Sequence, residues 1–475
     1  MSREARQGLA LLGVALALGL LGDLLFHGRP LGLNVLLFTV CFVGALALLL
    51  RVGRAPLHQG RRWMAAPLLV FAAAFLWHDS PLLVAVNLLA LAGAVSLGAL
   101  RRTQPSPAQA GVADYTAALA SAGAGAFAGS IHLLHKEIPW EEAGRSMRGR
   151  RAASVARGIA LGVPLVVLFG GLFLAADTMF KRLVTGAVPD LSQVWAHTLL
   201  ATAIAWLAAG LLRDLVAVRE DSRVLSGDAI VRRRPALGAT EVAIALAALD
   251  LLFAAFVAVQ VRYLFGGRGD LSYAQYARHG FFELVAVSVL VLPVLLAANS
   301  LVRHRLVRAL SFALVALELL VAASALRRLW LYQEQFGLTE LRIWTSGVVV
   351  WLACVFVWLC VTTLRGRRRF AVGALVLGFA ATAALNVLNP DALIARTNLA
   401  RPQVDVEYLG HLSDDAVPTL LARLPTLDPV RRQQLAWWLG RRKPGDGGLL
   451  AWNASRARAH DLLVHQRAQL DRLAR

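Results

Sequence analysis

Charge is sparse in this chain. Only 16% of its residues are charged against 58% hydrophobic, which excludes an ordinary water-soluble globular chain. Cysteine is rarer still. The three present, Cys41, Cys354 and Cys360, fall inside apolar runs without metal-site spacing. Neither a disulfide framework nor a zinc module is therefore expected, and they read as small apolar fillers. Catalytic signatures are missing as well: no G-x-S-x-G, Walker A, kinase-like, dinucleotide-binding or H-E-x-x-H motif stands in a fitting context.

What fills the chain instead is apolar length. Hydrophobic runs of roughly 17–25 residues recur, each about the length that crosses a bilayer as a helix. The net charge of +20 would suit nucleic acid, but most of the arginine lies in short loops between apolar runs. That placement is the topological bias of membrane proteins, so no nucleic-acid partner is expected.

The stretch that organises the rest is Tyr273–Asn299, YAQYARHGFFELVAVSVLVLPVLLAAN. It starts polar and aromatic, with Ser272 and Gln275 spaced as a capping box, and becomes a spanning run just after Glu283. Before it, apolar runs cover about Leu9–Phe26, Leu31–Leu50, Trp63–Trp77, Pro81–Leu100, Ile159–Phe180, Val194–Leu212 and Glu241–Leu264. After it come Val307–Leu326, Ile343–Leu364 and Phe370–Leu388. The third run is short, so a re-entrant hairpin around His78-Asp79-Ser80-Pro81 competes with two full spans.

The segment 114–134 is apolar enough to cross. If it crossed, Arg101-Arg102 and the arginine cluster at 145–151 would face opposite sides, so it reads as a surface-lying or packed helix. The expected fold is all-α: a polytopic helical bundle of about eleven spans, N-terminus cytoplasmic, with a small helical C-terminal module outside the cytoplasm. Residues 1–102 hold the N-terminal membrane helices, 103–152 a cytoplasmic linker and surface helix, 153–388 the main bundle and 389–475 the module. Asn389-Pro390-Asp391 opens the module as a helix start. Short amphipathic helices follow at Ser413–Leu424, Asp428–Leu439 and Leu449–Leu473. Gly337 suits a helix C-cap and Thr339 an N-cap, giving a hairpin around Tyr332–Arg342. Trp437-Trp438 fit the module's core or a lipid interface.

The segments YARHGFFELV, LYQEQFGLTELR, LNPDALIARTN and DVEYLGHLSDDAVPTLL occur in this order. With them the chain resembles, over roughly Gly170–Leu421, a family of uncharacterised multi-pass bacterial membrane proteins catalogued as a domain of unknown function. The resemblance implies an architecture in a bacterial cell membrane and supplies no mechanism, cofactor or catalytic residue.

Chemistry is carried by carboxyls in the apolar runs. Asp177 and Glu283, with Asp23, lie near the outer boundary, and Asp250 and Glu318 lie deeper. Ionisable groups there are costly unless neutralised or paired. The deep pair suits a proton or cation path, or equally interhelical hydrogen bonding; the outer acids suit wetted helix ends. His27, His78, His197 and His279 all lie near the outer face and read as polar caps rather than ligands, although His279 and Glu283 are one helical turn apart. Arg278, His279 and Glu283, Tyr332 and Arg342, and Asn389, Asp391 and Arg396 belong to the motifs and form a candidate composite outer-face site. Arg342 and Arg396 are the expected carboxylate holders. No cofactor is expected.

Three function classes remain. A membrane scaffold or assembly partner, bound to the bilayer and to a membrane or extracytoplasmic protein, predicts that the motifs dock the module. A proton- or cation-coupled small-solute transporter predicts deep acids at a hydrated cavity. A lipid-linked transferase shares the span count and outer module, but its first outer loop is usually long, whereas here it is only the few residues around His27 to Pro30.

Overall fold

The computed structural model describes residues 3–53, 59–100, 107–138, 191–216, 238–265, 281–302, 304–363, 369–442 and 448–475, with residues 158, 162, 166 and 169 singly between them. Every described element is helical. Among the described residues, ten helices are long and apolar enough to cross a membrane by length and composition. Apart from Val112–His135, each coincides with a run read above as a span. The third run carries only the shorter apolar helix Arg62–Ala74. Apart from residues 162, 166 and 169, the run Ile159–Phe180, with Asp177, lies outside the described residues, as do the 145–151 arginines.

The first four helices, α1 (Arg3–Phe26), α2 (Leu33–Val52), α3 (Gln59–Ala74) and α4 (Pro81–Ala99), make two hairpins. A buried asparagine builds the first turn. Asn34 donates to Leu25 and Pro30 carbonyls at 3.1 and 3.0 Å and accepts from the Gly32 and Val35 N–H groups at 2.7 and 3.0 Å. All its hydrogen-bonding capacity goes to backbone that the turn would otherwise leave unpaired. Pro81 opens α4 at a position where the missing N–H costs nothing.

Helix α5 (Val112–His132) continues into a π-type turn at Leu133–Glu137. It packs on α6 (Leu191–Val216), which also lies along α1. The crossings are lined by glycine. Gly125 and Gly129 of α5 face Gly210 of α6, where a methyl would meet the Ala126 carbonyl at 2.5 Å. The Ser130 hydroxyl donates to the Trp206 carbonyl at 2.5 Å, and the Trp206 indole donates to the Phe127 carbonyl at 2.8 Å. Arg213 pairs with Glu137 at 2.6 Å. The π-type turn also meets the start of α1, where Glu137 backbone lies against Gly8. At its other end, the 3-10 turn Pro107–Gln109 packs on the helix Phe370–Leu388.

Helices α7 (Ala239–Phe265), α8 (Phe281–Leu301), α9 (Arg305–Phe336), α10 (Glu340–Val361) and α11 (Phe370–Leu388) follow. The run expected to end at Leu326 continues unbroken to Phe336, because nothing before Gly337 stops it. Gly337 takes φ 79°, a left-handed conformation suited to glycine, and its N–H closes on the Gln333 carbonyl at 2.9 Å. Thr339 occupies the next N-cap position without a side-chain capping bond.

Apolar packing forms three cores. One joins α1, α2, α4, α5 and α6 around Leu11, Leu49, Leu97 and Leu212. A second joins α7 to α10 around Leu246, Leu295, Leu314 and Phe356. Helix α11 borders both, with Ala371 in the first and Phe370 in the second. The third belongs to residues after Leu388, around Leu409, Leu420, Leu435 and Ala459, and includes Ile343 of α10. Cys41 and Cys354 are exposed on their helices rather than filling a core.

Beyond α11 the chain turns at Asn389, left-handed at φ 49°, whose side chain caps α12 (Pro390–Leu399) by accepting from the Ala392 N–H at 3.2 Å. Then come α13 (Val406–Gly410), α14 (Val417–Arg423), α15 (Pro429–Arg441), α16 (Ala454–His465) and α17 (Arg467–Leu473). The stretch read as one final helix is thus broken, with Gln466 between α16 and α17. Trp438 packs on Gly410 in the module, while Trp437 stays exposed beneath the Arg441 guanidinium at 4.1 Å.

Candidate functional site

Three interhelix turns meet the module, and each is held by polar side chains rather than by apolar packing alone. At the α3–α4 turn, Asp415 is the hub. Its Oδ1 lies 2.9 Å from His78 Nδ1, and its Oδ2 accepts from the Asp79 and Ser80 N–H groups at 3.0 Å each. Asn453 completes the clasp. Its amide donates to the Phe75 and His78 carbonyls at 2.8 Å each, while its oxygen caps α16 by accepting from Ser455 and Arg456 N–H groups. Arg456 pairs with Asp79 at 2.7 Å and donates to the Leu31 carbonyl at 2.6 Å.

At the α1–α2 turn, backbone touches backbone. Leu33 N–H donates to the Trp452 carbonyl at 2.9 Å. A methyl on Gly32 would lie 2.5 Å from that same carbonyl oxygen, so only glycine admits the approach.

At the α9–α10 turn the motifs meet each other. Asn398 brackets Leu338, accepting from its N–H and donating to its carbonyl, both at 2.8 Å. The Tyr408 hydroxyl accepts from the Glu340 N–H at 2.8 Å. Arg401 donates to the Gln333 carbonyl at 3.2 Å and to the Gln335 carbonyl at 2.5 Å. The Arg342 guanidinium lies over the Tyr332 ring at 4.3 Å and donates to the Phe336 and Gly337 carbonyls. Arg396 is exposed on α12.

Ser413 joins two of these turns. Its hydroxyl donates to the fully buried Asp391, which lies beside Glu340, and it stands 3.2 Å from Asp415 Oδ2. Arg442 pairs with Asp414 at 3.0 Å and reaches the Gly410 carbonyl at 2.9 Å. Burial pushes the Asp391 and Asp414 carboxyls above the ordinary range, against Ser413 and Arg442 respectively. Burial also pushes Asp79 up to about 6, against the pull of Arg456. Asp415 ends below its ordinary value, because hydrogen bonds and charge from His78 overcome the upward push of burial.

These shifts set a pH dependence. Asp79, Asp391 and Asp414 bind protons more tightly docked than free. Their contribution is complete below the ordinary carboxyl value of about 4 and is lost as pH rises, for Asp79 through about 6. Asp415 acts oppositely: its contribution is present above that ordinary value and falls away at lower pH. The module is therefore expected to melt from the bundle at lower temperature at pH 7.5 than at pH 5, and Asp79→Asn should flatten that slope. A melting temperature that rises from pH 5 to 7.5 would contradict the assignment.

The deep acids are apart from these turns. Glu318 on α9 is fully buried and accepts from the Ser288 hydroxyl of α8. Asp250 on α7 is buried, and neither of its oxygens has a hydrogen-bond partner. One level nearer the module, Gln260 accepts from Ser324 at 3.3 Å and from Arg328. Of the other expected site residues, Asp177, Arg278 and His279 lie outside the described residues. Glu283 lies in α8, with its side chain outside them.

His78, Asp415, Asn453 and Arg456 are the members that sequence reasoning missed as a group. Asn453 had a local signal, an asparagine opening the amphipathic run at Ala454, but its partners are hundreds of residues away. A second unanticipated group is Asp23, His27 and His197, whose potential ligand atoms lie within 4.8 Å of one another.

Comparison with known proteins adds one match. The family described as "Domain of unknown function (DUF4153)" covers residues 65–422. No curated protein and no solved structure matches the chain.

Proposed function

The chain belongs to the family defined by that domain of unknown function, and from this premise we propose that it is a membrane scaffold whose helical module bridges the turns of two helix cores. One observation carries the reading: the described family-like motifs spend their polar groups on docking. Asn398 closes on Leu338, Tyr408 on Glu340 and Ser413 on Asp391, while Asp415 and Asn453 hold the α3–α4 turn. A clasp of this kind fixes the spacing of α1–α4 relative to α9–α10, which is what an assembly partner needs from a platform.

With the arginine-rich ends inside, as the loop charge bias indicates, the module faces the exterior of the cell membrane and α5 lies along the cytoplasmic side. That last placement is supported at one end by the packing of Glu137 backbone on Gly8 near the start of α1, while the turn before α5 packs on α11. The partner class is then a membrane or extracytoplasmic protein.

Spin labels at the exposed Trp77 and Leu341, one on each half, test the bridge. A single narrow distance distribution is expected in the native protein, and Asp415→Ala should broaden it. A distribution that Asp415→Ala leaves unchanged would remove the bridging role. Proton-coupled transport draws support from the unpartnered Asp250 carboxyl. Proton-driven uptake that Asp250→Asn abolishes in a normally folded protein would replace the scaffold reading with that one.

A further inference from the structure

Among the described residues, one cluster has metal-ligand chemistry and no part in docking the module. Asp23 lies in the last turn of α1, His27 immediately follows that helix, and His197 is on α6. His197 Nδ1 stands 2.8 Å from Asp23 Oδ2, and His27 Nδ1 stands 3.6 Å from Asp23 Oδ1. The two imidazoles are stacked, 3.6 Å between centroids and 19° between planes. Asp23 Oδ1 is buried without a hydrogen-bond partner.

We infer that Asp23, His27 and His197 form a three-ligand site for a borderline divalent transition-metal ion, zinc being the best fit. Bonds of about 2.0–2.2 Å to nitrogen and oxygen place tetrahedral ligand atoms roughly 3.3 Å apart. The nitrogen–oxygen separations of 2.8 and 3.6 Å, one to each carboxylate oxygen, lie either side of that edge, and one ligand atom from each residue falls within 4.8 Å of the others, so modest side-chain rotation closes the set. Two imidazoles and one carboxylate are ligands that zinc, cobalt and nickel share, and they disfavour the all-oxygen ions calcium and magnesium. A metal would replace the Nδ1 proton that otherwise bridges to Asp23, and the two imidazoles would turn out of their stack so that both in-plane lone pairs converge on the ion. With three protein ligands the fourth position is open to water. Entry is also open, since His197 and His27 side chains are 50% and 31% exposed.

The approach of the two helices is built in. A methyl on Gly19 would meet the Ala201 carbonyl at 2.5 Å and the Ala205 methyl at 2.6 Å; one on Gly22 would meet Ile204 at 2.6 Å. Gly19, one turn below Asp23, and Gly22, directly before it, therefore let α6 come close enough for His197 to reach Asp23. Rigid helices holding the ligands in place is what an affinity above that of scattered surface histidines requires. The bound ion would pin the end of α1 to α6.

The test is titration of tag-free, full-length protein in detergent with cobalt(II) alone, read by visible ligand-field absorption. Intense tetrahedral bands saturating at about one ion per chain, and lost on adding zinc(II), are expected. His197→Gln and Asp23→Asn should each weaken binding by at least about tenfold, with unchanged far-ultraviolet dichroism and elution volume. Gly22→Leu should weaken it with every ligand still present, the result a chance pair of surface histidines would not give. Absence of the bands, or bands that survive in the His27→Gln/His197→Gln double variant, would overturn the assignment.

Discussion

Asn453→Ala is expected to release the module at a cost of about 2–4 kcal/mol. The substitution strands two buried carbonyls, Phe75 and His78, each now receiving a 2.8 Å bond, and each costs about 1 kcal/mol, the low end for an unmet buried acceptor, because opening lets water reach both. It also removes the N-cap of α16, worth about 1 kcal/mol. If proteolysis of the module follows its local opening, cleavage should speed up by roughly 30- to 1,000-fold. Asn453→Asp separates the two parts. It keeps the acceptor that caps α16 and loses the donors, so it should recover about the capping term and no more. Wild-type cleavage in Asn453→Ala would mean that the turn contacts do not hold the module.

Gly210→Leu is expected to cost about 3 kcal/mol or more at the α5–α6 crossing. Even a methyl there meets the Ala126 carbonyl at 2.5 Å, and the facing residue is Gly129. Backbone cannot yield as a flexible side chain can, so the helices must separate. Separation also stretches the Ser130–Trp206 and Trp206–Phe127 hydrogen bonds. The contrast with Leu207, exposed one turn earlier on the same helix, provides the control: Leu207→Ala should leave thermal unfolding nearly unchanged. Equal melting temperatures for Gly210→Leu and the native protein would show that the crossing is looser than its glycines indicate.

The membrane helices were legible because apolar length is a local property, read from each run by itself. The turn at Gly337 and the helix start at Asn389 were legible for the same reason: a left-handed glycine and an asparagine before proline are local chemistry. The clasp was not legible. Asp415 and His78 are separated by 337 positions, and nothing around either residue names the other. That the apolar span ending near Leu326 and the helix capped at Gly337 are one unbroken element was less legible, because arginines 327 and 328 resemble a span's end, yet Arg328 bonds Gln260 while still helical. The histidines near the outer boundary were each visible, but only the glycine-lined approach of α6 to α1 brings His197 to Asp23.

The clasp also orders events in time. Arg456 reaches the Leu31 carbonyl across 425 positions and Asp79 across 377, so helices made late close against turns made much earlier. Until they arrive, the α3–α4 turn keeps the Phe75 and His78 carbonyls and the Asp79 and Ser80 amides without the side chains that satisfy them. A nascent or truncated chain ending before Ser413 therefore displays unfinished turns on every copy. The α1–α2 and α3–α4 turns therefore stay unfinished until the residues around Asp415, Asn453 and Arg456 have been made, which leaves early membrane helices with unmet polar backbone while the later helices are still being added.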